Sequence, residues 1–151
     1  MADRPTLHLT NASSRRLHGP GRVWTIMARP RTWERGIGRV AALSPIVALT
    51  PLMQAAIAER KAGIDGGPAL AVYRSAFDAR LAIMDLRPGH IHGYLWEGMG
   101  SGTLLESGDT LICACSRAEA AAGRCHRSWC APALVAAGWR VILDGVDTAS
   151  K

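Results

Sequence analysis

The stretch DTLICACSRAEAAAGRCHRSWCAPALVAAGWRVILD, residues 109–144, is the clearest indication of the fold. It opens with a short apolar run, TLICAC (110–115), which is typical of a central strand buried on both faces. A loop follows, and then a helix that starts near Cys125 and ends at Gly138. WRVIL (139–143) has the composition of a second strand. A strand, a helix and a strand of these lengths predict a right-handed crossover between parallel strands.

The rest of the chain extends this unit. TLHLT (6–10) and RVWTIMA (22–28) are β-rich and predict two further strands. Helices are predicted at 51–62, after an N-cap at Thr50, and at 69–84, where apolar residues recur every three or four positions. We therefore expect an α/β fold, with a mainly parallel, Rossmann-like sheet flanked by helices.

Length and composition indicate a single domain. The chain has 151 residues, of which 48% are hydrophobic, and this is enough for one core and too little for two ordinary domains. A charged fraction of 20% without low-complexity tracts argues against disorder. We expect residues 1–151 to form one compact α/β domain, in which only 1–5 and 146–151 are flexible.

Two segments bear on the compartment. The first sixteen residues have no apolar core behind a basic start, so they are unlike a secretory signal. Residues 40–58 are strongly apolar but contain Pro45 and Pro51, which favours a buried loop followed by a helix over a membrane span. We expect a cytoplasmic protein that does not contact a membrane.

The net charge of +6 lies in the N-terminal quarter of the chain. Residues 1–40 contain eight arginines and two acidic residues, whereas residues 41–151 contain ten basic and ten acidic residues. Sixteen of the eighteen basic residues are arginine, whose planar guanidinium group suits phosphate and carboxylate. The clustering predicts an anionic partner, either a nucleotide or a nucleic acid.

The cysteines all fall in the strand-to-helix segment. Cys125 is predicted at the start of the helix, where unpaired backbone amides favour a thiolate. The adjacent His126 could carry a proton, and Arg127 could hold an anionic oxygen. Cys113 is expected at the carboxyl end of the central strand, which is where open parallel sheets bind ligands. These four residues are the candidate catalytic groups, whereas Cys130, more than a turn into the helix, is predicted to be structural.

Zinc binding is the competing interpretation of the same segment. Four cysteines and a histidine within eighteen residues supply enough ligands, and the candidate set is Cys113, Cys115, Cys125 and His126. The spacing argues against zinc, because the usual knuckle is C-x2-C and a C-x-C pair on a rigid strand converges poorly on one ion. No cofactor is therefore predicted.

The N-terminal arginines are predicted to form the other wall of the site. NASSRRLHGPG (11–21) is polar and ends in Gly-Pro-Gly, which is typical of a functional loop. Within RPRTWERGIGRV (29–40), Trp33 could stack a base while the arginines hold phosphates. Packing of the tryptophan over the arginine side chains explains the same pattern equally well. The predicted substrate-binding residues from this reasoning are Arg15, Arg16, Arg29, Arg31 and Trp33.

Three catalytic motifs do not occur in the sequence. It contains no G-x4-G-K-[ST], no arginine six positions after Cys113, Cys115 or Cys125, and no H-x-E combined with P-C-x-x-C. These patterns are needed by P-loop enzymes, by cysteine phosphatases and by zinc deaminases, respectively. The three classes are therefore excluded.

Several segments together resemble the domain of unknown function family 488. They are LHLTNAS near the N terminus, WTIMARP followed by Trp33, the helix YRSAFDARL, and GDTLICAC with the later CHRS, helix and strand. The resemblance covers about residues 6–144. It is most specific at 108–128, where Cys113 and the triplet Cys125-His126-Arg127 match the strand-end cysteine and the CHR motif of the family.

The resemblance implies an α/β fold with a site built from strand-end loops, and the family has no settled reaction to carry over. It adds Thr10, Asn11 and Ser13 to the predicted substrate-binding residues. The sequence departs from the family pattern at two points. Cys115 stands where many members carry an acidic residue, and AEAAAG (118–123) lengthens the loop before the CHR triplet.

Two functional hypotheses follow. The first is a small cytoplasmic enzyme acting on a nucleotide or nucleic acid, with Cys125 or Cys113 as nucleophile or acid and His126 as proton carrier. In this hypothesis Arg127 and the N-terminal arginines hold phosphate. The second is a non-catalytic module that binds nucleic acid or a protein partner, with cysteines that are structural or hold zinc.

Overall fold

The structure of the chain is a computed structural model, and it describes residues 4–27, 37–45, 47–64, 67–94 and 102–149. The strands are β1 (Thr6–Asn11), β2 (Val23–Thr25), β3 (Gly38–Arg39), β4 (His92–Gly93), β5 (Thr103–Leu104), β6 (Thr110–Cys113), β7 (Arg140–Leu143) and β8 (Val146–Asp147). The helices are α1 (Thr50–Lys61), α2 (Pro68–Ala82), α3 (Arg117–Ala121) and α4 (His126–Ala136).

The main sheet has six strands in the order β3-β2-β6-β1-β7-β8. All neighbouring pairs are parallel except β7 and β8. β4 and β5 form a separate antiparallel pair. The predicted α/β fold, with a mostly parallel sheet flanked by helices, is confirmed. The predicted parallel strands β6 and β7 are not neighbours, however, because β1 lies between them and pairs with both.

β6 is the buried central strand that its apolar sequence predicts. All four of its residues are buried. Leu111 pairs in register with Leu9 of β1, and Cys113 pairs with Asn11, so these side chains share one face of the sheet. On the other face, the amide of Gly19 donates a hydrogen bond of 2.7 Å to Oγ1 of Thr110. The loop after β1 therefore covers β6 on that side.

The helical part of the core rests on aromatic contacts between α2 and α4. Tyr73 and Phe77 of α2 are buried, and their rings lie 5.1 Å and 5.7 Å from the Trp129 ring of α4 in edge-on geometry. Such aromatic contacts add about 0.5 to 1.5 kcal/mol each beyond the area they bury. Leu81 is buried on the same face, so the predicted apolar stripe of this helix is confirmed.

Several predicted boundaries differ from the structure. α1 includes Thr50, which was predicted as its N-cap, and β2 is limited to three residues. The segment 118–123, predicted as loop, overlaps the short helix α3. The reason is a local capping motif, S-x-x-E, in which Oγ of Ser116 accepts a hydrogen bond of 3.1 Å from the amide of Glu119.

The C-terminal segment continues the sheet. β7 and β8 are joined by Asp144 and Gly145, whose φ angles of 49° and 83° match the two-residue hairpin turn that Asp-Gly favours. Val146 and Asp147, within the tail predicted to be flexible, therefore pair with β7 as β8. None of the described helices is both long and apolar enough to cross a membrane.

Candidate functional site

Three cysteine thiols meet at the carboxyl end of the parallel strands. Cys113 ends β6, and Cys125 is the N-cap residue of α4, as predicted. Their Sγ atoms lie 3.1 Å apart. Cys115 follows in the loop between β6 and α3, and the Sγ atoms of all three lie within 4.8 Å of one another. We call Cys113, Cys115 and Cys125 the thiol cluster.

The strand that carries the C-x-C pair is shorter than predicted, and this brings the thiols together. Because β6 ends at Cys113, Cys115 is free of the strand geometry that would hold the two sulfur atoms apart. The expectation that a C-x-C pair converges poorly on one ion is therefore wrong here. The thiol cluster forms a group that could hold a metal ion.

Arg127 lies beneath the thiol cluster and has no exposed surface. Its Nη1 donates to Sγ of Cys113 at 3.0 Å and to the carbonyl oxygen of Cys115 at 2.7 Å. Its Nη2 donates to the carbonyl oxygen of Ser116 at 3.3 Å. The guanidinium group thus contacts a sulfur atom of the protein itself, and its role in holding a substrate phosphate stays a prediction.

Asp144 holds the other side of this guanidinium group. Nη2 of Arg127 lies 3.0 Å from both carboxylate oxygens of Asp144. The hairpin turn between β7 and β8 places the carboxylate there, with the Asp144 side chain 15% exposed. The opposite charge offsets the cost of burying the Arg127 cation. Reasoning from the sequence missed Asp144, although the Asp-Gly pair was a readable signal for the turn.

The electrostatics of the site favour one sulfur anion at Cys113. Hydrogen bonds from the thiols of Cys115 and Cys125, together with the nearby Arg127 cation, lower the pKa of Cys113 far below its ordinary value. The hydrogen bond to Cys113 raises the pKa of Cys115 to about 11 and that of Cys125 further. The cluster therefore loses its first proton easily and keeps the others.

His126 sits at the start of α4, half-buried beside the cluster. Its Nε2 lies 2.6 Å from the carbonyl oxygen of Ile26, and its ring packs 5.6 Å from that of Phe77. An imidazole facing a carbonyl oxygen carries its proton on that nitrogen, which leaves Nδ1 as an acceptor. Of the four residues predicted to bind zinc if it is present, the three cysteines converge, and His126 is not part of the converging group of ligand atoms.

Burial gives His126 a pH-dependent contribution to stability. It lowers the pKa of His126 below the ordinary 6.5, and the Cys113 anion only partly opposes this. A lowered pKa in the folded state means that the unfolded chain binds a proton more readily. Stability is therefore complete above about pH 6.5 and falls as the pH drops towards the folded-state pKa.

We expect the variant His126→Gln to lose part of this pH dependence. Urea unfolding between about pH 7.5 and pH 5 should give a shallower fall in the free energy of unfolding than in the wild type. His8, whose pKa is lowered by burial and by Arg140, accounts for some of the remaining slope. An identical slope in the variant and the wild type would contradict the assignment.

An apolar cavity of about 330 Å³ opens beside the cluster. Cys115 and His126 line one end of it, and its apolar lining includes Met27, Met53, Ile57, Leu70 and Tyr73. Cys113 and Cys125 do not line it, and each is only 1% exposed. Cys115 is thus the cluster thiol that a small molecule in the cavity meets. It was not among the predicted catalytic residues, because the family pattern directs attention to Cys113 and Cys125.

Charged side chains also line the cavity. Arg60 and Arg124 both contact Oε2 of Glu119, at 3.0 Å and 3.2 Å. Glu59 accepts hydrogen bonds of 3.0 Å and 3.2 Å from the first amides of α2, which offset its charge. The guanidinium groups of Arg60 and Arg124 therefore share the carboxylate of Glu119 beside the cavity.

The predicted substrate-binding residues do not line this cavity where they are described. Thr10 is fully buried in β1, and its Oγ1 has no hydrogen-bond partner within the described part of the chain. Oδ1 of Asn11 accepts a hydrogen bond of 2.8 Å from the amide of Ser14 and so shapes the following turn. Ser13, Arg15 and Arg16 are exposed on that loop. Arg29, Arg31 and Trp33 lie outside the described residues.

Cys130 and the cluster differ in their surroundings. Cys130 is fully buried in α4, and its thiol donates to the carbonyl oxygen of Leu43 at 3.6 Å. Burial raises its pKa, so it remains a neutral thiol. These contacts agree with its predicted structural role.

The chain matches no protein-family model, no curated protein and no solved structure.

Proposed function

We propose that the protein is a small cytoplasmic enzyme that acts on a nucleotide or a nucleic acid at the thiol cluster. The observation that carries the proposal is the buried Arg127, which donates to Sγ of Cys113 beside an apolar cavity lined by Cys115 and His126. A buried cation is costly, and its placement against a thiol favours an anionic sulfur, which is the reactive form of cysteine.

The proposed roles follow from position. Cys115 meets the substrate because it lines the cavity, and the Cys113 anion accepts a hydrogen bond from its thiol. His126 also lines the cavity, and its Nδ1 can take up or return a proton. Arg127 keeps the negative charge on Cys113 and leaves substrate binding to other residues. In this proposal the reacting sulfur is that of Cys115, whereas the sequence analysis predicted that of Cys113 or Cys125.

The proposed substrate class rests on the cavity and on charge. A cavity of about 330 Å³ with an apolar lining suits a flat, base-sized group. Arg60 and Arg124 lie at its wall, and the chain carries a net charge of +6. A parallel sheet with its site at the strand ends supports a Rossmann-like arrangement. The resemblance of 108–128 to the domain of unknown function family 488 stays a prediction.

Thiol labelling across pH tests the reactive anion. We expect iodoacetamide to label Cys115 with a midpoint above the ordinary thiol value of about 8.5, because the neighbouring Cys113 anion raises the pKa of Cys115. Mass spectrometry of peptides identifies the labelled residue, and Cys130 serves as the internal control that stays unlabelled. A midpoint near 8.5 for every cysteine would remove the basis for thiolate catalysis.

The same labelling tests the substrate class. A nucleotide that enters the cavity should shield Cys115, so a mononucleotide or a short oligonucleotide is expected to slow its alkylation. Inorganic phosphate at equal concentration is the control for a general salt effect. Equal labelling rates with and without every nucleotide tried would contradict a nucleotide-binding cavity.

The second candidate is a non-catalytic module whose cysteines hold zinc. The observation that favours it is the convergence of three Sγ atoms within 4.8 Å, since zinc binds thiolates readily. Metal analysis of protein purified without added zinc tests it. One equivalent of zinc, lost together with folding in Cys113→Ser, would favour this module. A steep salt dependence of nucleic-acid affinity without turnover would favour it too.

A further inference from the structure

We propose that the thiol cluster reduces small hydroperoxides and that its stable oxidised product is a disulfide between Cys113 and Cys125. The inference goes beyond the proposed function and does not depend on the nucleotide substrate. It rests on three features of the cluster: the contact between two buried sulfur atoms, the buried cation beside one of them, and the access that the third has to the cavity.

The first feature is the contact between the sulfur atoms of Cys113 and Cys125. Their Sγ atoms are 3.1 Å apart, and a disulfide bond is about 2.05 Å long. The sulfur atoms must therefore approach by about 1 Å for the bond to form. The two residues belong to different elements, the end of β6 and the start of α4, so the bond would join the central strand to the helix.

The cation makes this pair reactive. Nη1 of Arg127 lies 3.0 Å from Sγ of Cys113, and Asp144 holds the guanidinium group in place. A positive charge at this distance stabilises the sulfur anion, which is the form that attacks a sulfenic acid or a disulfide. Cys130, which is buried outside the cluster, donates to the carbonyl oxygen of Leu43 instead.

The exposure of the three thiols to the cavity determines which of them the oxidant reaches. Cys113 and Cys125 are each 1% exposed, whereas Cys115 lines the cavity of about 330 Å³. A hydroperoxide in the cavity therefore meets Cys115. The Cys115 sulfur attacks one peroxide oxygen, the O–O bond breaks, and the leaving oxygen takes up the proton of the Cys115 thiol and departs as water or an alcohol. Cys115 becomes a sulfenic acid, oxidised by two electrons while the peroxide is reduced by two.

Two exchanges within the cluster complete the reaction. The Cys113 sulfur attacks the sulfur of the Cys115 sulfenic acid, and hydroxide leaves and is protonated to water. The Cys125 sulfur then attacks Cys113, which forms the Cys113–Cys125 disulfide and returns Cys115 as a thiol. Overall, two thiols and one hydroperoxide give one disulfide, one alcohol and one water. With hydrogen peroxide, the products are the disulfide and two waters.

The test uses the full chain, reduced, with its metal content measured. One equivalent of hydrogen peroxide is expected to lower the thiol count in denaturant from four to two and the mass by about 2 Da, without dimer formation. Peptide mapping should join Cys113 to Cys125. Persistence of four thiols, a bond that includes Cys130, or bound zinc that keeps all four thiols reduced would overturn the proposal.

Two serine variants separate the roles. Cys130→Ser is the matched control, since it removes a buried thiol outside the cluster and is expected to form the disulfide at the wild-type rate. Cys115→Ser is expected to slow the reaction on the order of tenfold, because the remaining thiols have no sulfur at the cavity. An unchanged rate in Cys115→Ser would overturn the assigned entry point. Neither outcome depends on the nucleotide protection that tests the proposed function.

Discussion

Replacing Arg127 with methionine is expected to lower the free energy of unfolding by about 3 to 5 kcal/mol. The guanidinium group is fully buried and donates to Cys113, to two carbonyl oxygens and to Asp144. Methionine fills much of the volume but donates nothing, so the partly buried Asp144 carboxylate and the Cys113 sulfur lose their charge partner. Urea unfolding at pH 7 measures the difference.

Two further variants give this prediction its controls. Arg117→Met removes an exposed guanidinium group at the start of α3, and its effect should stay within about 0.5 kcal/mol. Arg127→Lys keeps the charge but cannot reach all the acceptors, so we expect a loss between those of the other two. If Arg127→Met is no less stable than Arg117→Met, the buried contacts do not stabilise the fold as the geometry indicates.

Replacing Asp109 is expected to have the second large effect on the free energy of unfolding. Its carboxylate is 2% exposed and accepts hydrogen bonds from the amide of Arg22 at 2.9 Å, from Nε1 of Trp24 at 3.0 Å and from the amide of Glu106 at 3.0 Å. These bonds tie β2 to the turn before β6. Asp109→Ala leaves three donors without their acceptor, one of them a buried indole, so we expect a loss of about 2 to 4 kcal/mol.

Urea unfolding with a matched pair checks the Asp109 prediction. Asp78→Ala removes a carboxylate that is half exposed and lies 3.7 Å from Arg74, so its effect should be below about 0.5 kcal/mol. Asp109→Asn keeps one acceptor oxygen and should lose less than Asp109→Ala. Equal stabilities of the two alanine variants would show that water replaces the lost acceptor at all three donors.

Local patterns in the sequence were enough to predict much of the fold and the elements that carry Cys113 and Cys125. The buried strand within the apolar run 110–115, the helix start at Cys125 and the apolar stripe of α2 depend on neighbouring residues. The last two lie where they were predicted, and the strand is two residues shorter than predicted. Two features that were not predicted also depend on neighbouring residues in the sequence. The S-x-x-E cap of α3 and the Asp-Gly turn before β8 were present in the sequence and were not used.

The features that could not be predicted depend on contacts between distant segments. The insertion of β1 between β6 and β7 depends on strand pairing, which hydrophobic periodicity does not specify. The same holds for the site. The sequence shows that the cysteines, a histidine and an arginine lie close together in the strand-to-helix segment. Burial and hydrogen bonding in three dimensions decided that Arg127 faces Cys113 and Asp144 and that Cys115 is the thiol at the cavity.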